Sequence, residues 1–416
     1  MLAKRKFDYK WVILAVCAGM IFVTLGFCSS NKGIYLTAIT EAVGIPRGLF
    51  SINDSCRYIA MAVINLFFGT LLSRFGARIM VAVGFIATIA STVIYAFATN
   101  IVTFCIGGTL LGIGLAFTST NMASTIIRRW FHKDIGKYTG IAFAANGIGS
   151  TVASFIATPL IHETGNPFGY RNSYLVVTAI LIISGIVTVI LLKQPPSEEK
   201  PTEKSAKTPK IEWAGMPFAQ AKRHWFFYVT GLVVFITGFS LHGLVGAFAA
   251  HLEDTGITPP FVAVVVGVYS ITLTLSKIFA GWLYDRKGLS TVMIVCQIAA
   301  IVAFLALMFS GPTPVGLLLS MVFAVLYSVS LPLETLIIPL LVNDFFGAIS
   351  YDQILGIYAA INYAGYALGA PIVNWCYDLF GSYKPIFLLF AILMFIIVFI
   401  FRLARRSDEN YKTLDN

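Results

Sequence analysis

Long apolar runs recur along the chain, separated by short polar or Gly/Pro-containing breaks. They fall near residues 11–38, 49–72, 77–98, 101–127, 138–161, 173–192, 225–250, 260–283, 290–310, 314–342, 353–375 and 385–403. A hydrocarbon layer about 30 Å thick needs roughly 20 helical residues, so each run reads as one membrane-crossing helix, twelve in all. One hydrophilic stretch breaks the rhythm. Residues 193–224, with Pro195-Pro196-Ser197-Glu198-Glu199-Lys200 near their start, carry little apolar pattern and read as a flexible cytoplasmic linker. The expectation is an all-α membrane protein of twelve transmembrane helices in two pseudo-symmetric six-helix halves. Its parts would be a bundle at 1–192, the linker at 193–224, a second bundle at 225–403 and a cytoplasmic tail at 404–416.

Composition agrees and removes the soluble alternative. Hydrophobic residues make up 58% of the 416 and charged residues 12%, too few charges to coat a water-exposed surface. With both termini cytoplasmic, 23 of the 29 Lys and Arg fall on the inner segments, which sets a multi-pass orientation in a cell membrane. The net charge of +10 is scattered over separate short loops, so it marks topology and anionic lipid, with no nucleic-acid partner implied. The N-terminal Lys4, Arg5 and Lys6 precede an apolar run with no small-residue cleavage site and read as the flank of a first helix. Cys17, Cys28, Cys56, Cys105, Cys296 and Cys376 lie in or beside apolar runs without a CxxC pair, so they read as buried small side chains, and neither metal nor cofactor is expected. HExxH, GxSxG and GxxxxGK[ST] are absent, which argues against an enzyme and against direct use of ATP. The pairs Gly112/Gly114 and Gly147/Gly149 follow no strand and read as close helix packing.

An internal repeat supports the two halves. The second and eighth runs end in Gly69-Thr-Leu-Leu-Ser-Arg-Phe-Gly76 and Gly281-Trp-Leu-Tyr-Asp-Arg-Lys-Gly288, equivalent octets 212 positions apart. Gly140, Asn146 and Gly149 in the fifth run match Gly356, Asn362 and Gly365 in the eleventh, all 216 apart. The octets resemble the GxLxDRxG loop of the major facilitator superfamily, span for span over the whole chain. The resemblance implies alternating access, with Gly69, Arg74, Gly76, Gly281, Asp285, Arg286 and Gly288 forming a conformational loop motif. Ser73 stands where the family usually has Asp, so the latch is expected to rest on the intact copy, Asp285 and Arg286. Within the superfamily, Ser30-Asn31-Lys32-Gly33-Ile34, Arg129-Trp130-Phe131 with Gly140, and Leu331-Pro332-Leu333-Glu334-Thr335-Leu336 are similar to stretches of the monocarboxylate transporter and oxalate:formate antiporter group.

Ionisable residues inside membrane spans cost about 2.5–3.5 kcal/mol or more each, so each needs a partner or a pathway. Arg57 lies 12 residues before Gly69, roughly 18 Å along the helix and near the midplane, with Asp54 one turn away on the same face. The two either neutralise one another or leave Arg57 facing a substrate. Glu334 lies at similar depth and either pairs with Arg57 or Lys277 or carries a coupling proton. His242 and Asp254 are the other acid-base candidates, His242 being open to a plain packing role. Asn121, Tyr327, Asn362 and Tyr363 are neutral groups able to donate to a carboxylate or to bond neighbouring backbone. The family resemblance adds two roles: Lys32 matches a Lys facing the outer cavity, and Lys277 occupies the place of an Arg that holds the substrate carboxylate. Lys there supplies a point charge without the guanidinium fork. The family's proton-exchanging Asp on the eighth helix is replaced by Leu273.

Three intramembrane cations (Lys32, Arg57, Lys277) against two carboxylates (Asp54, Glu334) leave the cavity positive, which suits an anion. The reading is a monomeric carrier of a small organic anion, a monocarboxylate, with a proton or a second anion as the coupled species. The 14% aromatic content keeps a rival, an exporter of drugs or larger amphipathic solutes.

Overall fold

The structure, a computed structural model, describes residues 8–30, 33–131, 133–161, 166, 168–193, 215–245 and 247–414. Among these every regular element is helical, apart from one isolated bridge between Gly215 and Gly347. Without water to take up N–H and C=O groups, helix is the way for an open chain to cross lipid.

The first span runs Lys10–Phe27, followed by Gly33–Val43. The second starts at Arg47–Leu66 and continues into Phe68–Phe97, which folds back at Gly76 to make the third. The fourth is Ile101–Trp130, the fifth Ile135–Ile161, the sixth Gly169–Leu191 and the seventh Trp225–Val245. Pro259–Met308 holds the eighth and ninth, folded at Gly288, and the tenth begins as Pro314–Ser330. Tyr351–Phe380 and Lys384–Leu414 are the eleventh and twelfth. Nine of these helical stretches are long and apolar enough to cross a membrane by composition alone. The second and eleventh spans fall outside that test, the second because Arg47, Asp54 and Arg57 dilute its apolar content, and the Gly288 fold merges the eighth and ninth into one.

Gly76 (φ 76°) and Gly288 (φ 77°) have the same role at equivalent places. Each closes an octet with a backbone conformation that a Cβ disfavours, so two antiparallel spans follow one another almost without a loop. The octets, the linker flanks and both chain ends share one side of the bundle, called here the octet face.

The halves also share their irregularities. π-Helical turns occupy Phe22–Phe27 in the first span and Gly238–His242 in the seventh, starting 216 positions apart. The fourth span breaks at Ser119 (φ −97°, ψ −159°). The tenth breaks through the 3₁₀ turn Leu331–Glu334 to Thr335 (φ −126°, ψ −67°), again 216 positions on, before resuming as Ile337–Phe346. Gly149 and Gly365 lie against the backbone of the two π-turns, at Phe22 and at Phe235–Phe239, where a side chain would collide.

The linker departs from expectation at its far end. Gly215 bridges to Gly347, the Met216 N–H donates to the Phe346 carbonyl (2.9 Å), and the Phe218 N–H donates to Ser350 Oγ (2.8 Å). Met216 and Ala221 are buried, so apolar contact fixes this segment to the tenth–eleventh loop despite its polar surroundings.

Gly288→Ala is expected to destabilise the protein by about 1–3 kcal/mol, because the new Cβ inherits a conformation only glycine tolerates. Gly267→Ala, with open space around it, is expected to be neutral or stabilising by up to about 1 kcal/mol. Thermal melting in detergent, read for both variants beside wild type, checks the contrast.

Candidate substrate site between the two halves

The breaks in the fourth and tenth spans bare backbone groups in mid-membrane, and polar side chains collect there to satisfy them. Thr24 Oγ1 in the first π-turn donates to the Thr118 carbonyl at the fourth-span break (3.1 Å). In the other half the Tyr327 hydroxyl donates to the Leu241 carbonyl in the seventh π-turn. Asn362 Nδ2 (3.0 Å) and the Tyr366 hydroxyl (3.3 Å) both donate to the Glu334 carbonyl at the tenth-span break. Pairs of interrupted helices at matching places in two halves are where helical carriers build their solute sites.

At this level the charged residues meet. Arg57, 4% exposed, reaches Asp54 (3.2 Å), whose own side chain is 41% exposed. Arg57 also donates to Ser29 Oγ (3.0 Å) and to the Tyr58 hydroxyl (2.7 Å). The Tyr58 hydroxyl in turn bonds His242 Nε2 (2.7 Å) across the seam between halves. The His242 ring stacks on Tyr366 (centroids 3.8 Å, planes 9° apart), and its Nδ1 lies 3.7 Å from Glu334 Oε1. One continuous chain, Asp54–Arg57–Tyr58–His242–Glu334, thus links the second span to the seventh and tenth. Several polar atoms in it are buried without a hydrogen-bond partner among the described residues: Arg57 Nε, His242 Nδ1, Glu334 Oε2 and Asn362 Oδ1.

Lys277 stands apart. It is 5% exposed and makes no ion pair or hydrogen bond among the described residues. Glu334 is the carboxylate whose field reaches it, from beyond ion-pair distance. The Lys277 backbone carbonyl lies against Gly140 of the fifth span, as the Asn65 carbonyl lies against Gly356 of the eleventh.

The expected residues divide accordingly. Arg57, Asp54, His242 and Glu334 come together, and Glu334 faces His242 where Arg57 or Lys277 was expected. Asn362 donates an N–H to backbone, and its Oδ1 packs against Gly238 of the seventh π-turn. Tyr327 is fully buried with its hydroxyl committed to backbone, because the π-turn it braces has a carbonyl to satisfy, so it is no donor to a solute. Asn121 Nδ2 bonds Asn65 Oδ1 (2.9 Å) between the fourth and second spans, a structural tie. Tyr363 packs edge-on to Tyr366 (5.4 Å) beside Ser119. Asp254 lies away from this cluster, with His251 and Lys384 in a polar cleft of about 420 Å³ on the face opposite the octets. Lys32 lies outside the described residues. Ser29, Tyr58, Tyr366 and Ser119 were missed, although Tyr58 adjoins Arg57 and Tyr366 follows Asn362 by one helical turn.

Below the site, toward the octet face, the halves are tied by polar contacts. Asp285 of the second octet accepts from the Gly136 (3.0 Å) and Lys137 (2.7 Å) N–H groups, capping the fifth span. Arg286 lies over Trp282 and Arg74 over Phe75. Ser73 turns back to the Thr70 carbonyl of its own helix (2.9 Å) and ties nothing across. The equivalent seam is held from the other side. Asp352, in the first turn of the eleventh span, pairs with Arg129 (2.6 Å) and Thr125 (3.1 Å), and Arg128 donates to Asn343 (2.8 Å).

Two helical halves meet around a mid-membrane polar chain and are tied at one face, an architecture that helical membrane carriers share. The chain matches the model of the Major Facilitator Superfamily over residues 12–245 and 230–415, and it belongs to that family. It is therefore a multi-pass membrane transporter of small solutes and not an enzyme. It is 22% identical to human monocarboxylate transporter 2, covering 91% of this chain and 81% of that protein. It is 26% identical to bovine monocarboxylate transporter 13 (76% and 71%) and 24% identical to multidrug resistance protein 2 of Bacillus subtilis (64% and 65%). The match spans 62% of rat monocarboxylate transporter 12. Among solved structures, the transporter FucP in an outward conformation superposes with TM-score 0.73 at 15% identity, over 95% of this chain and 99% of that one. The human organic anion transporter MFSD10 gives TM-score 0.65 at 13% identity, over 94% and 98%.

Asp352→Asn removes the charge that pairs with Arg129 and is expected to weaken the octet-face closure by about 1 kcal/mol, a severalfold population shift. Thiol labelling of a cysteine introduced at the octet-face end of the seam checks it. Unchanged labelling would show that the ion pair does not hold the gate.

Proposed function

We propose that the protein is a secondary active carrier of a small organic anion, a monocarboxylate, moved by alternating access with proton symport or anion exchange. One observation carries the reading. Arg57 has Asp54 at 3.2 Å and Glu334 has His242 at 3.7 Å, whereas Lys277 is buried with no ion-pair partner among the described residues. A buried ammonium without a counter-ion is costly, and a solute carboxylate relieves the cost. As a compact point charge, Lys277 holds one carboxylate oxygen and leaves the rest of the solute to be fitted by the cavity wall. The monocarboxylate transporter relatives support the substrate class. In this reading the octet face is cytoplasmic in a cell membrane, with both termini inside. The six-helix halves at 1–192 and 225–403 rock about the Lys277 level, joined by the linker, with the protein acting as a monomer. The octet-face latches close the inner side while the site is approached from outside.

Proteoliposomes with labelled lactate and pyruvate, given an inward proton gradient or a trans-loaded carboxylate, test the proposal. Wild type is expected to accumulate one of them. Lys277→Ala is expected to lower the uptake about tenfold to a hundredfold, the worth of one charge-assisted contact, and Lys277→Arg to keep part of it. Absence of carboxylate uptake under every driving force, beside export of an amphipathic dye, would overturn the proposal in favour of a drug exporter, a reading to which the multidrug resistance name of the Bacillus relative lends support.

A further inference from the structure

Resting on the reading just proposed, we infer that His242 and Glu334 together hold the coupled proton, and that Tyr58 passes their protonation state across the seam between the halves. The eighth span carries no carboxylate near Lys277, since Leu273 and Thr274 fill the preceding turn, so a proton site has to come from elsewhere.

The hydrogen-bond chain fixes where protons sit. A guanidinium only donates, so in the Arg57–Tyr58 contact (2.7 Å) the Tyr58 oxygen accepts. Its own hydroxyl hydrogen is then free for His242 Nε2 (2.7 Å), and where it is donated there that nitrogen is bare. Neutral His242 accordingly carries its hydrogen on Nδ1, the atom 3.7 Å from Glu334 Oε1. Arg57, by donating to the Tyr58 oxygen, leaves the Tyr58 hydrogen available to a histidine in the other half, two hydrogen bonds away.

One added proton has two places to go. It joins Glu334, whose Oε2 is buried without a hydrogen-bond partner, or it joins Nε2, making an imidazolium whose charge the Glu334 carboxylate offsets. The two sites, 3.7 Å apart, share the proton. The second placement has a mechanical result. Nε2–H now donates, so the Tyr58 hydroxyl must turn from donor to acceptor in the hydrogen bond that joins the halves at this level. Loading the couple therefore rewrites the cross-seam bond, and emptying it restores the first arrangement.

The surroundings suit a single exchangeable proton. From the second span Asp54, Arg57 and Tyr58 face the couple, from the eighth Lys277 and Tyr269, from the tenth Glu334 itself, and from the eleventh Tyr363 and Tyr366. Arg57 is offset by Asp54, and Tyr366 stacks on the ring (3.8 Å) without altering its charge. A solute carboxylate at Lys277 removes the positive field that Glu334 feels from that side, which favours proton uptake by the couple. Anion and proton are thus taken up together by electrostatics alone.

Two measurements on the full chain test this. In the first, ¹⁵N-histidine-labelled protein in nanodiscs is titrated from pH 5 to 9, and His242→Gln assigns the resonance among the five histidines. The His242 ring-nitrogen signals are expected to respond to acidification differently in wild type and in Glu334→Gln, since the carboxylate beside Nδ1 is gone. Identical responses in the two proteins would break the couple and overturn the inference, whatever the transported solute. In the second, lactate accumulation driven by a proton gradient is divided by lactate exchange at equal pH, both in proteoliposomes. The ratio is expected to fall at least tenfold in Glu334→Gln and in His242→Gln. In Tyr58→Phe it should fall severalfold, with a displaced pH profile. Wild-type ratios in both couple variants would overturn the inference, and because two residues are tested, misfolding of one variant leaves the other decisive. Failure of wild type to carry lactate at all would refute the function proposed above, leaving the titration to decide the proton site.

Discussion

A backbone group inside lipid must find its partner within the protein, and that constraint organises this molecule. Four helices, the first, fourth, seventh and tenth, depart from regular α geometry at mid-membrane, and each departure frees backbone groups with no water to take them. Thr24, Tyr327, Asn362 and Tyr366 are spent on those groups. The polar character of the centre is thus in large part structural upkeep, and the atoms still unpartnered, on Arg57, His242 and Glu334, mark where a solute or proton finds room. The breaks also bring the charged residues together, because Glu334 sits on the 3₁₀ turn that ends the upper tenth span and His242 closes the seventh π-turn.

Duplication explains why the irregularities come in pairs. π-Turns and helix breaks recur at a spacing of 216, and the Gly140 and Gly356 contacts repeat one packing solution at two seams. Chemistry has diverged on this symmetric frame. Asn65 and Lys277 both stand four residues before an octet, yet one ties a neighbouring asparagine and the other is an unpaired cation. The first half contributes Asp54, Arg57 and Tyr58 to the central ionisable set and the second His242, Lys277 and Glu334.

The twelve spans were legible in the sequence because apolar length is a strong signal, and the octets with their terminal glycines marked the sharp folds at Gly76 and Gly288. The Asp54–Arg57 pair was legible from its i, i+3 spacing. The breaks were less so: Ser119 sits in a run of small polar residues that a helix also tolerates, and only Pro332 hinted at the tenth. For Tyr327, Asn121 and Asn362 the sequence left two roles open, and the structure has each bonded to a neighbouring helix. Sequence shows that a residue can donate but not that a neighbouring carbonyl has already claimed the hydrogen. Asp254 looked like a span-end acid near the path, and its helix carries it to the outer rim. Ordering of the linker's end at Met216 rests on contacts with a loop some 130 positions away, which local pattern does not reveal.

The two gates at the octet face differ in kind. One is a carboxylate seated on backbone amides, Asp285 on the fifth span, and the other is an ion pair, Arg129 with Asp352, whose members are each about a quarter exposed. Mobile ions screen the second far more than the first. Separation along the second–eleventh seam releases charges that water at the interface readily hydrates, whereas separation along the fifth–eighth seam strips a helix end of its cap. The bundle consequently has a weak edge and a strong edge; with the rocking motion proposed above, the halves would part first on one side and pivot on the other, and an opening at the octet face would widen as a wedge. A solute leaving through such an opening passes the second and eleventh spans, so these lips, as much as the central pocket, meet it on the way out.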